Sequence, residues 1–119
     1  MIHREQALLV STCADLHTIK KSQDIRAGNH VWLSGQIPAD PQGNLIKGSV
    51  TEKTQPLIQK TEAILQEAGS GLDWVGKVVV YVTDASIIPE FPKVYDPAFP
   101  HRPARSMVEV PKLPAGVDI

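Results

Sequence analysis

The sequence predicts a small two-layer α/β domain, in which helices cover one face of a mixed β-sheet. Three observations predict this class. One long segment spaces its apolar residues as a single helix face does, and β-branched runs lie on either side of that segment. The chain has 119 residues, of which 42% are hydrophobic. That length supports one core, so residues 1–119 are interpreted as a single domain.

The first part of the chain is predicted to form strands joined by a hairpin. Gln6–Ser11 is predicted to be a short strand, with Cys13 in the loop after it. Asp24–Arg26 is predicted to end a second strand, because Ala27–Asn29 contains residues that tolerate the positive φ angles of a hairpin turn. The branched and aromatic residues of His30–Ser34 then form the returning strand.

A helix is predicted next. Ser49 and Glu52 have the spacing of a capping box, and Gly69 is suited to the left-handed geometry that ends a helix. The residues between them that share one helix face are Leu57, Thr61, Ile64, Leu65 and Ala68. Pro56 disagrees with a start at Ser49, because an interior proline loses a backbone hydrogen bond. The sequence therefore predicts either a kink at Pro56 or a regular helix that begins nearer Gln55.

The second part of the chain continues the alternation of strands and helices. Lys77–Thr83 is predicted to be a central strand buried on both faces, because its run is almost continuously β-branched. A second helix is expected over Ile87–Tyr95, cut short by Pro92, followed by a strand over Ser106–Val110. Another strand is expected to begin at Val117 and to be truncated. The order is β-β-β-α-β-α-β-(β).

Composition argues against several functions. The chain carries 12 Lys and Arg against 13 Asp and Glu, a net charge of -1, so nucleic acid is an unexpected partner. No apolar run approaches the ~20 residues of a membrane span, so no membrane partner is expected. A single cysteine cannot form an internal disulfide. The sequence therefore favours a protein of the cytoplasm or of an organellar matrix, such as the mitochondrial matrix.

Few residues carry recognisable chemistry by themselves. The histidines lack the spacing of metal ligands, so no metal site is predicted; they are His3, His17, His30 and His101. Arg105 starts a strand behind a proline-stiffened loop, and its planar guanidinium matches a carboxylate. Either a small carboxylate ligand or a surface acid would pair with it. Ser34 and Gly35 end a strand, where glycine permits either close approach of a ligand or a turn.

Taken together, three segments resemble the RidA family, also called the YjgF or L-PSP endoribonuclease family. They are Leu33–Pro38, Val82–Asp84 and Arg102–Val110, which carry the S-G-Q-I-P and P-A-R-S motifs in order. The resemblance implies a chorismate-mutase-like fold with two helices on one face of the sheet. It also implies a homotrimer with ligand pockets between neighbouring subunits. The implied activity is hydrolysis of small 2-imino acids, such as 2-iminopropanoate and 2-iminobutanoate, to 2-keto acids and ammonia, without a cofactor.

The resemblance also implies roles for individual residues. Arg105 would clamp the substrate carboxylate, and the backbone at Met107 would contact the imine end. Ser34 and Gly35 would line the pocket. The glutamate that orients water in the family would be the residue after Ile119, so no catalytic residue is assigned within these 119 residues.

Three positions differ from the family pattern. Lys21 stands where a tyrosine is usual, and Pro92 where an asparagine is expected in the second helix. Met107 replaces a smaller residue that is often Cys or Thr. These differences leave two alternatives to imine hydrolysis: a non-catalytic trimer that binds or senses small carboxylates, and an endoribonuclease or translation inhibitor of the kind reported in the family.

Overall fold

The protein is described from a computed structural model, which describes the backbone of residues 6–13 and all of residues 24–119. Five strands form one mixed sheet in the order β2-β3-β1-β4-β5. The strands are β1 (Gln6–Cys13), β2 (Asp24–Ala27), β3 (His30–Gly35), β4 (Val75–Val82) and β5 (Ala104–Glu109), and the α-helices are α1 (Val50–Glu67) and α2 (Phe91–Tyr95). The predicted mixed α/β class and the order of these elements are confirmed.

Strand β1 lies in the middle of the sheet, parallel to β3 on one side and to β4 on the other. It ends at Cys13, which pairs with Gly35, so the prediction that Cys13 lies in a loop is wrong. The extension past Ser11 depends on pairing with β3, which is a contact that the local sequence does not encode. Strands β2 and β3 form the predicted antiparallel hairpin, with Gly28 at a φ of 59° in its turn.

Both helices cover the same face of the sheet. Buried side chains on β3 and β4 point to that face; they are Val31, Leu33, Val78, Val80 and Val82, and they share one core with α1 and α2. Lys77, Val79 and Tyr81 alternate with the β4 valines and are only half-buried. The prediction that Lys77–Thr83 is buried on both faces is therefore wrong, because the helices cover one face only. We call the other face the open face.

Helix α1 begins at its predicted cap. The Ser49 hydroxyl accepts a hydrogen bond from the Glu52 backbone N–H at 3.2 Å, and the helix runs unbroken from Val50. The expectation of a start nearer Gln55 is wrong, because the cap holds the first turn and Pro56 removes only one hydrogen bond further along. The buried stripe is confirmed except that Leu57 is half-buried, and Gly69 has the expected positive φ, 82°.

The second helical region is divided. Asp84 caps a 3₁₀ turn over Ala85–Ile87, and α2 follows over Phe91–Tyr95. Pro92 does not end the helix as predicted. It lies in the first turn of α2, where a missing N–H leaves no intrahelical bond unmade.

The segment after β5 does not form the strand expected from Val117. A 3₁₀ turn over Pro114–Gly116 reverses the chain, with Ala115 at a φ of 59° and Gly116 at 71°. Asp118 then accepts one backbone hydrogen bond, at 3.0 Å, from Thr83 at the end of β4. The segment after this left-handed turn therefore contacts the end of β4 but does not form a strand of the sheet.

Candidate functional site

Arg105 lies on β5, the edge strand of the sheet, where it meets an aromatic ring and an acid. Its guanidinium carbon is 5.9 Å from the centroid of the Tyr95 ring. Its Nη1 donates to Oδ1 of Asp96 at 2.5 Å. The side chain of Arg105 is 27% exposed and that of Asp96 is 57% exposed. The guanidinium is therefore partly shielded from water and is still reachable by a small anion.

The ring beneath Arg105 belongs to a stack of three buried aromatic side chains. Phe91 and Tyr95 have ring centroids 4.6 Å apart, and Tyr95 and Phe99 have centroids 4.5 Å apart. The spacing of four residues places them on one side of α2 and of the turn after it. Burial raises the pKa of the Tyr95 phenol well above its ordinary value, and the nearby positive charge of Arg105 offsets part of that effect.

This pKa shift predicts a pH dependence of stability. The unfolded chain ionises Tyr95 near its ordinary pKa of 10.0, whereas the folded chain keeps the phenol neutral to higher pH. The contribution of the neutral phenol to stability is therefore fully present below pH 10 and is lost as pH rises above it. We expect the urea midpoint of the wild type to fall more between pH 9 and pH 11 than that of Tyr95→Phe. Equal falls would contradict this assignment.

Met107 lies on the same strand and presents its backbone to the edge of the sheet. The N–H of Val110 donates to the carbonyl of Val82 at 2.8 Å. The backbone N–H and C=O groups of successive residues in a strand point to alternate sides. Those of Val108 therefore also point toward β4, whereas those of Arg105 and Met107 point away from β4, to the edge of the sheet. The side chain of Met107 is half-buried against the core. The structure thus brings the Arg105 and Met107 positions together along one edge; we call these two residues the β5 half-site.

Ser34 and Gly35 lie at the end of β3, where they line a cavity of about 390 Å³. The carbonyl of Ser34 accepts a hydrogen bond from Nε2 of Gln36 at 3.0 Å. The cavity also contacts β4, both helices and the segment after β5, including the buried side chain of Ile119. We call Ser34 and Gly35 the β3 half-site.

The two half-sites do not meet within one chain. Strands β3 and β5 are three steps apart in the sheet, a separation of ~14 Å at ordinary strand spacing. Ser34 also points to the open face, because Leu33 beside it is buried under the helices, whereas Arg105 is paired with Val78 on the helix face. Among the residues that the structure describes, neither Arg105 nor Met107 lines the cavity at Ser34.

The remaining predicted pocket positions are Pro92 and Lys21. Pro92 is half-buried in the first turn of α2 and does not line the cavity described above. Lys21 lies outside the described residues. In the part of the chain that the structure describes, no three His, Cys, Asp or Glu side chains cluster so that they could hold a metal ion.

Sequence analysis did not identify two residues that contact Arg105, which are Tyr95 and Asp96. It anticipated an acid as one alternative partner of Arg105, but it did not identify Asp96, which lies nine positions earlier beyond an irregular loop. Tyr95 could have been identified from the sequence, because aromatic residues recur every four positions at Phe91, Tyr95 and Phe99, which is the spacing of one helix face.

The fold defines a small mixed α/β domain, with the Arg105 guanidinium on its edge strand β5. The chain belongs to the endoribonuclease L-PSP family, whose sequence profile matches residues 17–119. The resemblance to the RidA family is thereby confirmed.

Individual relatives agree with this assignment. A RutC family protein of Pyrococcus abyssi is 43% identical over 98 residues, which are 81% of this chain and 77% of the relative. The yeast protein HMF1 of Saccharomyces cerevisiae is 40% identical over 99 residues, or 82% and 77% of the two chains. The crystal structure of yeast Mmf1 has a TM-score of 0.82 at 36% identity, covering 99% of this chain and 87% of that one. RidA from the Antarctic bacterium Psychrobacter gives 0.80 at 31% identity, covering 88% and 86%.

Proposed function

We propose that the protein hydrolyses small 2-imino acids to 2-keto acids and ammonia. The observation that carries this proposal is the β5 half-site, in which Arg105 and Met107 lie two residues apart on the edge strand and the Arg105 guanidinium lies over the Tyr95 ring. A 2-imino acid carries its carboxylate next to its C=N carbon. When the carboxylate pairs with Arg105, the imine nitrogen lies within reach of polar backbone groups along the same edge. The similarity to a solved RidA supports this reading.

The reaction needs little chemistry from the protein. Water adds to the electrophilic imine carbon, the nitrogen is protonated, and the C–N bond breaks. The 2-imino acid and water become a 2-keto acid and ammonia; both protons that the nitrogen gains come from the added water, so atoms and charge balance. The role of Arg105 is to fix the position of the reacting carbon, which lowers the entropic cost of the attack. No described residue is assigned to activate the water.

We further propose a homotrimer with ligand pockets between neighbouring subunits. A small ligand cannot touch both Ser34 and Arg105 of one chain across ~14 Å, so a shared pocket requires the β3 half-site of one copy and the β5 half-site of the next. The open face also exposes large apolar side chains. Ile25 is 60% exposed, Trp32 40% and Val108 42%, as expected of a surface that associates.

Two relatives suggest where such a protein works. A protein of Saccharomyces cerevisiae and one of Schizosaccharomyces pombe, 42% and 35% identical, carry the description mitochondrial. No helix in the described part of this chain is long and apolar enough to cross a membrane. We propose the mitochondrial matrix as one location and retain the cytoplasm as the other; fluorescence microscopy of the tagged chain distinguishes them.

The direct test is an imine-trapping assay. An amino-acid oxidase generates 2-iminopropanoate from alanine, and semicarbazide traps the imine that has not been hydrolysed. We expect the protein to lower semicarbazone formation in proportion to its concentration. An unchanged rate with folded protein would contradict hydrolysis.

A second candidate is binding without turnover. It is favoured by Asp96, because this carboxylate is engaged in an ion pair with Arg105 and is not assigned a role in activating water. Calorimetric binding of 2-oxobutanoate, together with no effect in the trapping assay, would support this alternative. RNA cleavage is not proposed, since a net charge of -1 gives RNA binding little electrostatic support.

A further inference from the structure

We propose that Asp96 competes with the ligand's carboxylate for Arg105 and thereby sets the affinity of the site. This inference rests on the proposed function, because it takes Arg105 to be the group that receives the ligand. The ion pair uses Nη1 of the guanidinium and Oδ1 of Asp96, 2.5 Å apart. Asp96 therefore holds one of the two terminal nitrogens that a carboxylate bound end-on to the guanidinium needs.

The geometry of the Asp96–Arg105 ion pair indicates that Asp96 competes with the ligand for Arg105 and does not hold Arg105 in place for the ligand. A ligand bound end-on, through Nη1 and Nη2, must displace Asp96. A ligand bound side-on, through Nε and Nη2, would place two carboxylates on one guanidinium, where their like charges repel. The direction of Arg105 is set by other contacts, since its backbone pairs with Val78 in the sheet and its guanidinium lies over the Tyr95 ring.

The exchange requires only rotation of the Asp96 side chain. The backbone N–H of Asp96 donates to the carbonyl of Pro92, and its carbonyl accepts from the N–H of Phe99 at 3.0 Å. Pro97 fixes the next φ angle. The carboxylate is more than half exposed, so water can receive it once it leaves the guanidinium. Displacement of Asp96 therefore leaves the fold intact.

The test is calorimetric titration with 2-oxobutanoate of the wild type and of Asp96→Asn. Partly exposed ion pairs are weak, so removing the competing charge is expected to tighten binding by ~2- to 5-fold. Glu90→Gln is the matched control, because it removes one exposed acid and its ion pair with Lys93 beside α2 without touching Arg105. Its affinity is expected to equal that of the wild type. Asp96→Ser serves as a second charge-removing variant if Asp96→Asn folds poorly.

Each outcome decides the question. Tighter binding by Asp96→Asn, with Glu90→Gln unchanged, supports competition. Equal or weaker binding by Asp96→Asn and Asp96→Ser, while Arg105→Ala loses binding, overturns the competition and leaves the proposed function standing. If Arg105→Ala binds as the wild type does, both the proposed clamp and the competition at it are rejected.

Discussion

Arg105→Ala is expected to weaken binding of 2-oxobutanoate by about 10-fold or more, because hydrogen bonds to a charged group contribute roughly 1.5–3 kcal/mol. The Arg105 side chain is 27% exposed and its guanidinium lies over the Tyr95 ring, so one face of the guanidinium is covered. Hydrolysis of 2-iminopropanoate is expected to fall with binding, since the clamp positions the reacting carbon. Calorimetry and imine trapping measure the two effects.

Two variants make this result specific. Arg102→Gln removes an exposed positive charge three residues earlier and is expected to bind like the wild type. Arg105→Lys keeps the positive charge but loses the planar fork, and its affinity is expected to lie between those of the wild type and Arg105→Ala. Retained binding by Arg105→Ala would remove the arginine from the site.

Trp32→Glu is expected to dissociate the proposed trimer and to abolish ligand binding together with it. Trp32 lies on the open face beside Ile25, and the two have paired backbones in the β2–β3 hairpin. It is 40% exposed in the single chain, so a glutamate there is tolerated by the monomer but places a charge in an apolar contact between copies. Light scattering measures the mass, and calorimetry measures the binding of 2-oxobutanoate.

Trp74→Glu is the matched control for this change. Trp74 is 45% exposed, and it lies in the 3₁₀ turn before β4 rather than on β2 or β3. The same substitution there is expected to leave the mass and the affinity unchanged. A monomeric wild type, or a Trp32→Glu protein that keeps both its mass and its affinity, would contradict a pocket shared between subunits.

The elements that depend on local physics could be predicted from the sequence. The stripe of α1, its Ser49 cap and its Gly69 terminus all follow from contacts within four residues, and the structure reproduces them. The same holds for the hairpin turn at Gly28. The effect of Pro56 was predicted wrongly, because the lost hydrogen bond can be inferred from the sequence, whereas the packing that holds the rest of the helix cannot.

The features that depend on distant parts of the chain could not be predicted in this way. The central place of β1 and its extension to Cys13 follow from pairing with β3 and β4. The sequence could not show that one face of β4 is only half-buried, because valine is common on both buried and half-buried faces of strands. The motifs identified Arg105 and Ser34, but they could not show that three sheet steps separate them. Asp96 was missed because an irregular loop brings it back to Arg105.

The most direct test of the central claim is the initial rate of semicarbazone formation from 2-iminopropanoate, measured with wild type, Arg105→Ala and Arg102→Gln at equal concentrations. We predict that wild type and Arg102→Gln lower the rate equally and in proportion to protein, whereas Arg105→Ala has no effect. A wild type that leaves the rate unchanged, or an Arg105→Ala protein that lowers it as strongly, would contradict imine hydrolysis at an arginine-clamped site.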